Sequence, residues 1–224
     1  MKTDPLLAAI DGYYTEKVKS HGPTPFGVDW NGVAGQELRF EQLLDVIAPG
    51  AEGFSINDYG CGYGALLEPL SRRHREFSYT GYDLSEAMID EARRRYAAAS
   101  RASFTTEVSD LLPADFTVAS GIFNVKLDVA LDRWARHVHE IIAQMVRLSK
   151  CGIAFNALTG HADADRRRAD LHYADPAELL DHCLSKYSRD VELRHNYELY
   201  EFTILVWLDR RPPASPKRGG TADE

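Results

Sequence analysis

Eight consecutive residues, Asn57-Asp58-Tyr59-Gly60-Cys61-Gly62-Tyr63-Gly64, carry the densest chemical signal in this 224-residue chain. They follow an apolar, strand-like run and lead into a helix-like one. Glycines at such a junction let the main chain turn sharply and come close to a ligand. A bare Gly-x-Gly-x-Gly also occurs as a plain strand-to-helix turn, so a second feature must discriminate. Asp83 supplies it. It ends the next apolar run, 23 residues beyond Gly60, where one carboxylate can accept both hydroxyls of a ribose. Loop and acid together imply a ligand that contains adenosine.

Two adenosine ligands fit so far, a nicotinamide dinucleotide and S-adenosylmethionine. A pyrophosphate loop normally places its third glycine three residues after the second, whereas here Gly64 follows Gly62 by two, and Asp58 stands just before the loop. A carboxylate there repels phosphates and suits a cationic amino-acid tail.

These residues need a frame that holds them at one edge. From Phe54 onward, strand-like and helix-like segments alternate, which implies a mostly parallel sheet with helices on both faces. Strands are predicted at 54–59, 78–83, 102–108, 116–123, 152–158, 191–195 and 202–208. Helices are predicted near 65–76 and 85–99, with Ser85 as N-cap. A long amphipathic helix carries Trp134, Val138, Ile141, Met145 and Leu148, a core stripe by its spacing. Another opens at Asp175-Pro176-Ala177-Glu178, with N-cap, first-turn proline and capping-box glutamate. The last two strands are too close for an intervening helix and must be antiparallel.

Residues 1–50 hold two helical patches around His21 to Gly27 and read as a helical lid, 51–210 as the catalytic domain, and the Pro/Gly/Lys-rich 211–224 as a disordered tail. Tyr13, Tyr14, Phe26 and Trp30 are the lid aromatics, with Tyr14 the expected cofactor contact. A net charge of -8 opposes a nucleic-acid footprint, and no apolar run reaches a membrane span. Three scattered cysteines, Cys61, Cys151 and Cys183, fit neither a disulfide framework nor a metal site. The expectation is a cytoplasmic protein with a small-molecule partner.

In an open sheet the second substrate lies beyond the ends of strands four and five. Lys126, Arg168, His172 and Tyr173 are the candidates there, and these cations in an acidic protein suggest an anionic acceptor. Arg166 and Arg167 read as a solvated loop face.

The segments Asp58 to Gly64, Tyr82 to Ile89 and Ser109 to Leu112 resemble the class I S-adenosylmethionine-dependent methyltransferases. The resemblance implies a Rossmann-like α/β fold with a seven-stranded sheet, mostly parallel with an antiparallel last strand. It implies that Gly60 and Gly62 pass the methionine tail, Asp83 binds the ribose, Met88 flanks the adenine, and Asp110 with Leu111 reads its rim. Leu84 and Phe123 are counted with the same site. Ser120 to Lys126, Tyr173 to Pro176 and Leu199 to Ile204 are similar to a narrower group, small bacterial natural-product methyltransferases of the phosphonate O-methyltransferase type in dehydrophos biosynthesis. That likeness implies methylation of an oxygen on a small phosphonate. A sugar, amine or carboxylate acceptor remains the alternative, and a nicotinamide-dependent oxidoreductase or an inert adenosine-binding module the reading from another class.

Overall fold

The computed structural model describes residues 4–208, so the 211–224 tail lies outside the described residues. Seven strands form one sheet: β1 (Phe54–Tyr59), β2 (Phe77–Tyr82), β3 (Ala102–Thr105), β4 (Ala114–Ala119), β5 (Ser149–Leu158), β6 (Asp190–Arg194) and β7 (Glu201–Trp207), in the order β3-β2-β1-β4-β5-β7-β6. The first five run parallel, and β7 is antiparallel to both β5 and β6. Strand order reverses direction between β1 and β4, the switch point at which a crevice opens. The Rossmann-like expectation therefore holds.

Six α-helices flank the sheet: α1 (Pro5–His21), α2 (Val33–Leu44), α3 (Leu67–Arg73), α4 (Glu86–Arg95), α5 (Leu131–Arg147) and α6 (Pro176–Lys186). Helix α2 is amphipathic, and its Phe40, Leu43 and Leu44 join Leu66, Leu67 and Leu70 in one buried cluster against β1, β2 and β4. Helices α5 and α6 build the other cluster, on Trp134, Val138, Ile142, Met145, Leu179 and Cys183. Trp134, Val138, Met145 and Leu148 are buried as the stripe predicts, but its middle position passes from Ile141, only partly covered, to Ile142, because a helix of 3.6 residues per turn brings the fourth residue after Val138 onto the same face. Asp175 caps α6 through the Ala177 and Glu178 amides, but Glu178 does not fold back onto its own cap. Its carboxylate meets His139 Nε2 at 3.0 Å on α5.

The link from β3 to β4 is eight residues with a single 3-10 turn at Val108–Asp110. Asn57 Nδ2 donates to Leu112 O at 2.9 Å and ties that link across β1. Helix α1 docks on α4, where Thr15 Oγ1 lies 2.7 Å from the Ser85 hydroxyl. Among the described residues no helix is long and apolar enough to cross a membrane.

Candidate active site

The glycine loop leaves β1 in left-handed backbone, with φ of 81° at Gly60 and 54° at Gly62. A Cβ at Gly60 would lie 2.3 Å from Ile122 Cγ2, and one at Gly62 3.1 Å from Val28 Cγ1. Both positions therefore demand glycine on backbone and steric grounds together. The Gly60 and Cys61 amides donate to Tyr82 O at 2.7 and 2.9 Å, which clamps the loop onto the end of β2.

Asp83 lies just beyond that clamp. Its Oδ2 accepts from the Gly62 amide at 2.8 Å and its Oδ1 from the Ser85 amide at 2.9 Å. Each oxygen keeps capacity for a further donor. Burial pushes the Asp83 carboxyl up to about 6 against these hydrogen bonds. Asp58, 2% exposed at the end of β1, accepts from Tyr79 OH at 2.6 Å, and burial, opposed by that bond and aided by the Asp83 charge, pushes it up to about 7. A buried and a half-buried carboxyl beside a glycine cradle call for ligand hydroxyls and a cationic group.

The crevice encloses about 530 Å³ counted to its open mouth. Tyr14, Asp58, Gly60, Gly62, Asp83 and Met88 of the expected cofactor residues line it. Trp30, Gln36, Tyr63 and Ile122 are among the other residues of its wall. Gln36 is buried on α2 and its Oε1 accepts from Tyr63 OH at 3.0 Å, which turns the amide nitrogen away from Tyr63. The remaining expected residues lie elsewhere. Phe123 is core: its ring packs edge-on to Phe155 and its carbonyl accepts from Trp134 Nε1. Leu111 is buried in the α5–α6 cluster, and Leu84 packs against it. Asp110 accepts from Thr105 Oγ1 at 2.7 Å and lines an open groove on the sheet face beside Ser55 and Thr80.

A second cavity, about 1240 Å³ to its mouth, adjoins the crevice. Both are lined by Tyr14, Val28, Trp30 and Gly121, so these four residues form the wall between them. The turn carrying Gly121 is fixed by Asn156, whose Oδ1 accepts the Gly121 amide at 2.7 Å, and by Asn124, whose Oδ1 accepts from the Leu158 amide at 3.0 Å.

Among the four candidates for the second substrate, Arg168 and Tyr173 line this cavity and Lys126 and His172 do not. Arg168 is bidentate to Asp170 (2.6 and 3.1 Å) and also reaches Asp29 Oδ2 at 3.1 Å. Asp29 further accepts from Lys17 Nζ at 2.6 Å and Tyr13 OH at 2.8 Å. Burial would raise the Asp29 carboxyl, but these donors and the Arg168 charge hold it below the usual carboxylate range. Tyr173 OH accepts the Arg168 amide at 3.0 Å. Lys126 Nζ turns to Leu127 O at 2.9 Å. The His172 ring lies 6.5 Å from Trp134, its buried Nδ1 has no hydrogen-bond partner, and burial with the Lys126 charge lowers its pKa. Arg166 keeps the solvated side chain expected of a loop face, although it borders the cavity, whereas Arg167 folds back on Ala162 O and Gly160 O. Sequence reasoning missed Arg39 and Glu201, paired in the cavity wall at 2.6 and 2.8 Å. A charge inside the apolar stripe of α2 was the available signal for Arg39.

A crevice at the switch point, a glycine cradle and the Asp83 carboxylate beside it have the layout expected of an S-adenosylmethionine site. Residues 56–152 match the family described as "Methyltransferase domain". The chain is 45% identical over 160 residues, 71% of this chain and 96% of the relative, to "Putative methyltransferase Rv1506c" of Mycobacterium tuberculosis (strain ATCC 25618 / H37Rv). It belongs to the methyltransferase domain family and is a class I S-adenosylmethionine-dependent methyltransferase. The fold is shared with magnesium protoporphyrin IX methyltransferase (ChlM) from Synechocystis PCC 6803 with bound SAM, at TM-score 0.66 and 13% identity over 93% of this chain and 99% of that one. It is shared with N-methyltransferase NodS from Bradyrhizobium japonicum WM9, at 0.64 and 16% over 89% and 98%. A DhpI-SAH complex matches at 0.61 and 16% over 93% and 100%. The oxidoreductase alternative is thereby set aside.

Proposed function

We propose that this methyltransferase acts on an oxygen of a small acceptor that is already anionic when it binds, of the phosphonate type implied by the sequence likeness, in bacterial natural-product biosynthesis in the cytoplasm. The observation that carries the reading is the state of the acids around the second cavity. Asp29 is committed to Lys17, Tyr13 and Arg168, and Glu201 to Arg39. His172 stands outside the lining, and Glu198 is exposed at the mouth. On the side of the second cavity, no buried, uncommitted carboxylate or histidine lines the wall formed by Tyr14, Val28, Trp30 and Gly121 among the described residues. An anionic oxygen needs none, and a phosphate-type group, with a second pKa near about 6, is ionised at neutral pH.

S-adenosylmethionine, when bound, supplies a methyl group on a positively charged sulfur. Asp83 accepts the ribose hydroxyls, Asp58 faces the ammonium of the amino-acid tail, and the Gln36 amide donates to its carboxylate. Gly60 and Gly62 let the main chain approach the tail, and Met88 borders the base. Arg166, Arg168 and Tyr173 orient the acceptor, with Lys126 adding positive charge from behind. Tyr14 and Trp30 shut water out of the junction, where positioning accounts for most of the catalysis. In this reading residues 1–50 are the lid and 51–210 the catalytic domain.

A labelled-methyl assay over matched acids, alcohols and amines tests the proposal. Acids should be turned over at least about tenfold faster than uncharged alcohols, the ratio that about 1.4 kcal/mol of transition-state energy represents. Equal rates for uncharged acceptors overturn it.

A further inference from the structure

The second cavity is far larger than the anionic group of an acceptor needs, and its chemistry away from the junction differs from that of an anion trap. Its deepest charged feature is the Arg39–Glu201 pair, 9% and 1% exposed, joining α2 to the first residue of β7. A buried ion pair gives little net stability over an apolar pair of the same volume, so its presence in a cavity wall points to recognition. Arg39 spends its Nε and Nη2 on Glu201 and packs its guanidinium 4.7 Å from the Trp30 ring centre. Its Nη1 and the second lone pair of each Glu201 oxygen remain beyond that pairing. The wall therefore carries both halves of an ion pair with no net charge, Arg39 the more open half and Glu201 almost closed off behind it.

The mouth repeats the pattern. Glu198 and Arg166 carry opposite charges there, and Tyr200, 46% exposed, lines it with its hydroxyl anchored on Asp163 at 2.5 Å. An apolar body placed here would strip water from these charged groups and return no further hydrogen bond. A body of either net charge would meet a like charge. Hydroxyl groups, which donate and accept together, meet both halves of each pair, and the Tyr200 ring gives their carbon skeleton an apolar surface.

We propose that the acceptor is a polyhydroxylated anion, a sugar acid or sugar phosphate in chemical class, whose anionic oxygen reaches the Tyr14–Trp30 wall while its hydroxyls lie across the Arg39–Glu201 pair. This rests on the anionic-oxygen reading above. In the transfer, a lone pair of the acceptor oxygen forms the new O–CH3 bond, the S–CH3 bond breaks with its pair left on sulfur, and both formal charges vanish without any proton moving.

The test uses the full chain, with calorimetry for binding and labelled-methyl transfer for turnover. The probes are glucuronate and glucose 1-phosphate, the simple anions acetate and methylphosphonate, and neutral glucose. The hydroxylated anions should bind, and should exceed the simple anions in kcat/KM by about tenfold or more, the scale of one charge-assisted hydrogen bond. Preference between glucuronate and glucose 1-phosphate separates carboxylate from phosphate. Glu201→Gln should raise KM for the hydroxylated anions about tenfold, with kcat and S-adenosylhomocysteine affinity little changed. Arg39→Lys, which keeps the charge and loses the bidentate geometry, should do the same should Glu201→Gln fail to fold. Equal turnover of simple and hydroxylated anions overturns this inference and leaves the anionic-oxygen reading standing. Turnover of glucose alone overturns both, and no binding of either hydroxylated anion to protein that binds S-adenosylhomocysteine overturns this inference.

Discussion

Asp58→Asn separates what the crevice costs the fold from what it does for the cofactor. The Asp58 carboxyl rises from its ordinary 3.8 to about 7 because it is buried, with a single hydrogen bond from Tyr79 and the Asp83 charge nearby. Between those two values the unfolded chain has released this proton and the folded chain still holds it. Stability from this group is therefore greatest below the unfolded value and is lost as pH rises toward the folded one. With about 1.4 kcal/mol per unit, the loss between pH 5 and pH 8 is on the order of 2 to 3 kcal/mol. Asparagine keeps an oxygen for Tyr79 and carries no charge. Urea denaturation of the ligand-free protein should show wild type losing that stability over the interval, with Asp58→Asn matching wild type near pH 5 and exceeding it near pH 8. The same variant should bind S-adenosylmethionine more weakly at pH 8, because the ammonium loses its counter-charge. Parallel stability curves for the two proteins from pH 5 to pH 8 would refute the assignment of burial as the cause.

Asp83→Ala should weaken S-adenosylhomocysteine binding by about 1.5 to 3 kcal/mol, measured by calorimetry, as it removes a charged acceptor. Ile142→Ala should cost about 2 to 5 kcal/mol in urea denaturation and Ile141→Ala distinctly less, since Ile142 is fully buried and Ile141 is not; equal costs would contradict the observed phase of α5. Asp29→Asn tolerates the φ of 62° at that residue but removes the charge that holds Lys17, so amides of α1 should exchange faster with solvent while those of β1 and β4 stay protected. Gly60→Ala should abolish measurable cofactor binding, because its Cβ meets Ile122 in a left-handed backbone; unchanged affinity would mean the loop is not the cradle described.

Features that depend on residues near one another were readable in the chain. The seven strands along the chain, the antiparallel last pair, the Ser85 and Asp175 caps and the loop with Asp83 follow from alternation, capping chemistry and short spacings. What escaped depends on tertiary neighbours. Arg39 meets Glu201 across 162 positions, and no local spacing encodes such a pair. Arg168 read as an available cation because Asp29, 139 positions away, gives no sign in sequence of reaching it. His172 and Lys126 stand close to Tyr173 and Arg168 by number or strand end, yet backbone bonds from Lys126 and Leu127 to Asp170 O and from His172 to Asn124 O turn that stretch into a scaffold. Glu178 had two possible partners, its own helix cap and a neighbouring helix, and packing of α6 beside α5 decided between them.

Strand β7 runs against its neighbours and lies between β5 and β6. As the chain leaves the ribosome, β6 emerges before the strand it must pair with, and waits as an exposed ribbon until residues 201–207 arrive. Glu201, opposite Leu158 at the start of that last strand, enters at the same moment. Sheet closure and completion of the cavity wall are thus one late, long-range event, so a nascent chain stopped short of β7 has neither, and its unpaired β5 edge is the segment that invites aggregation.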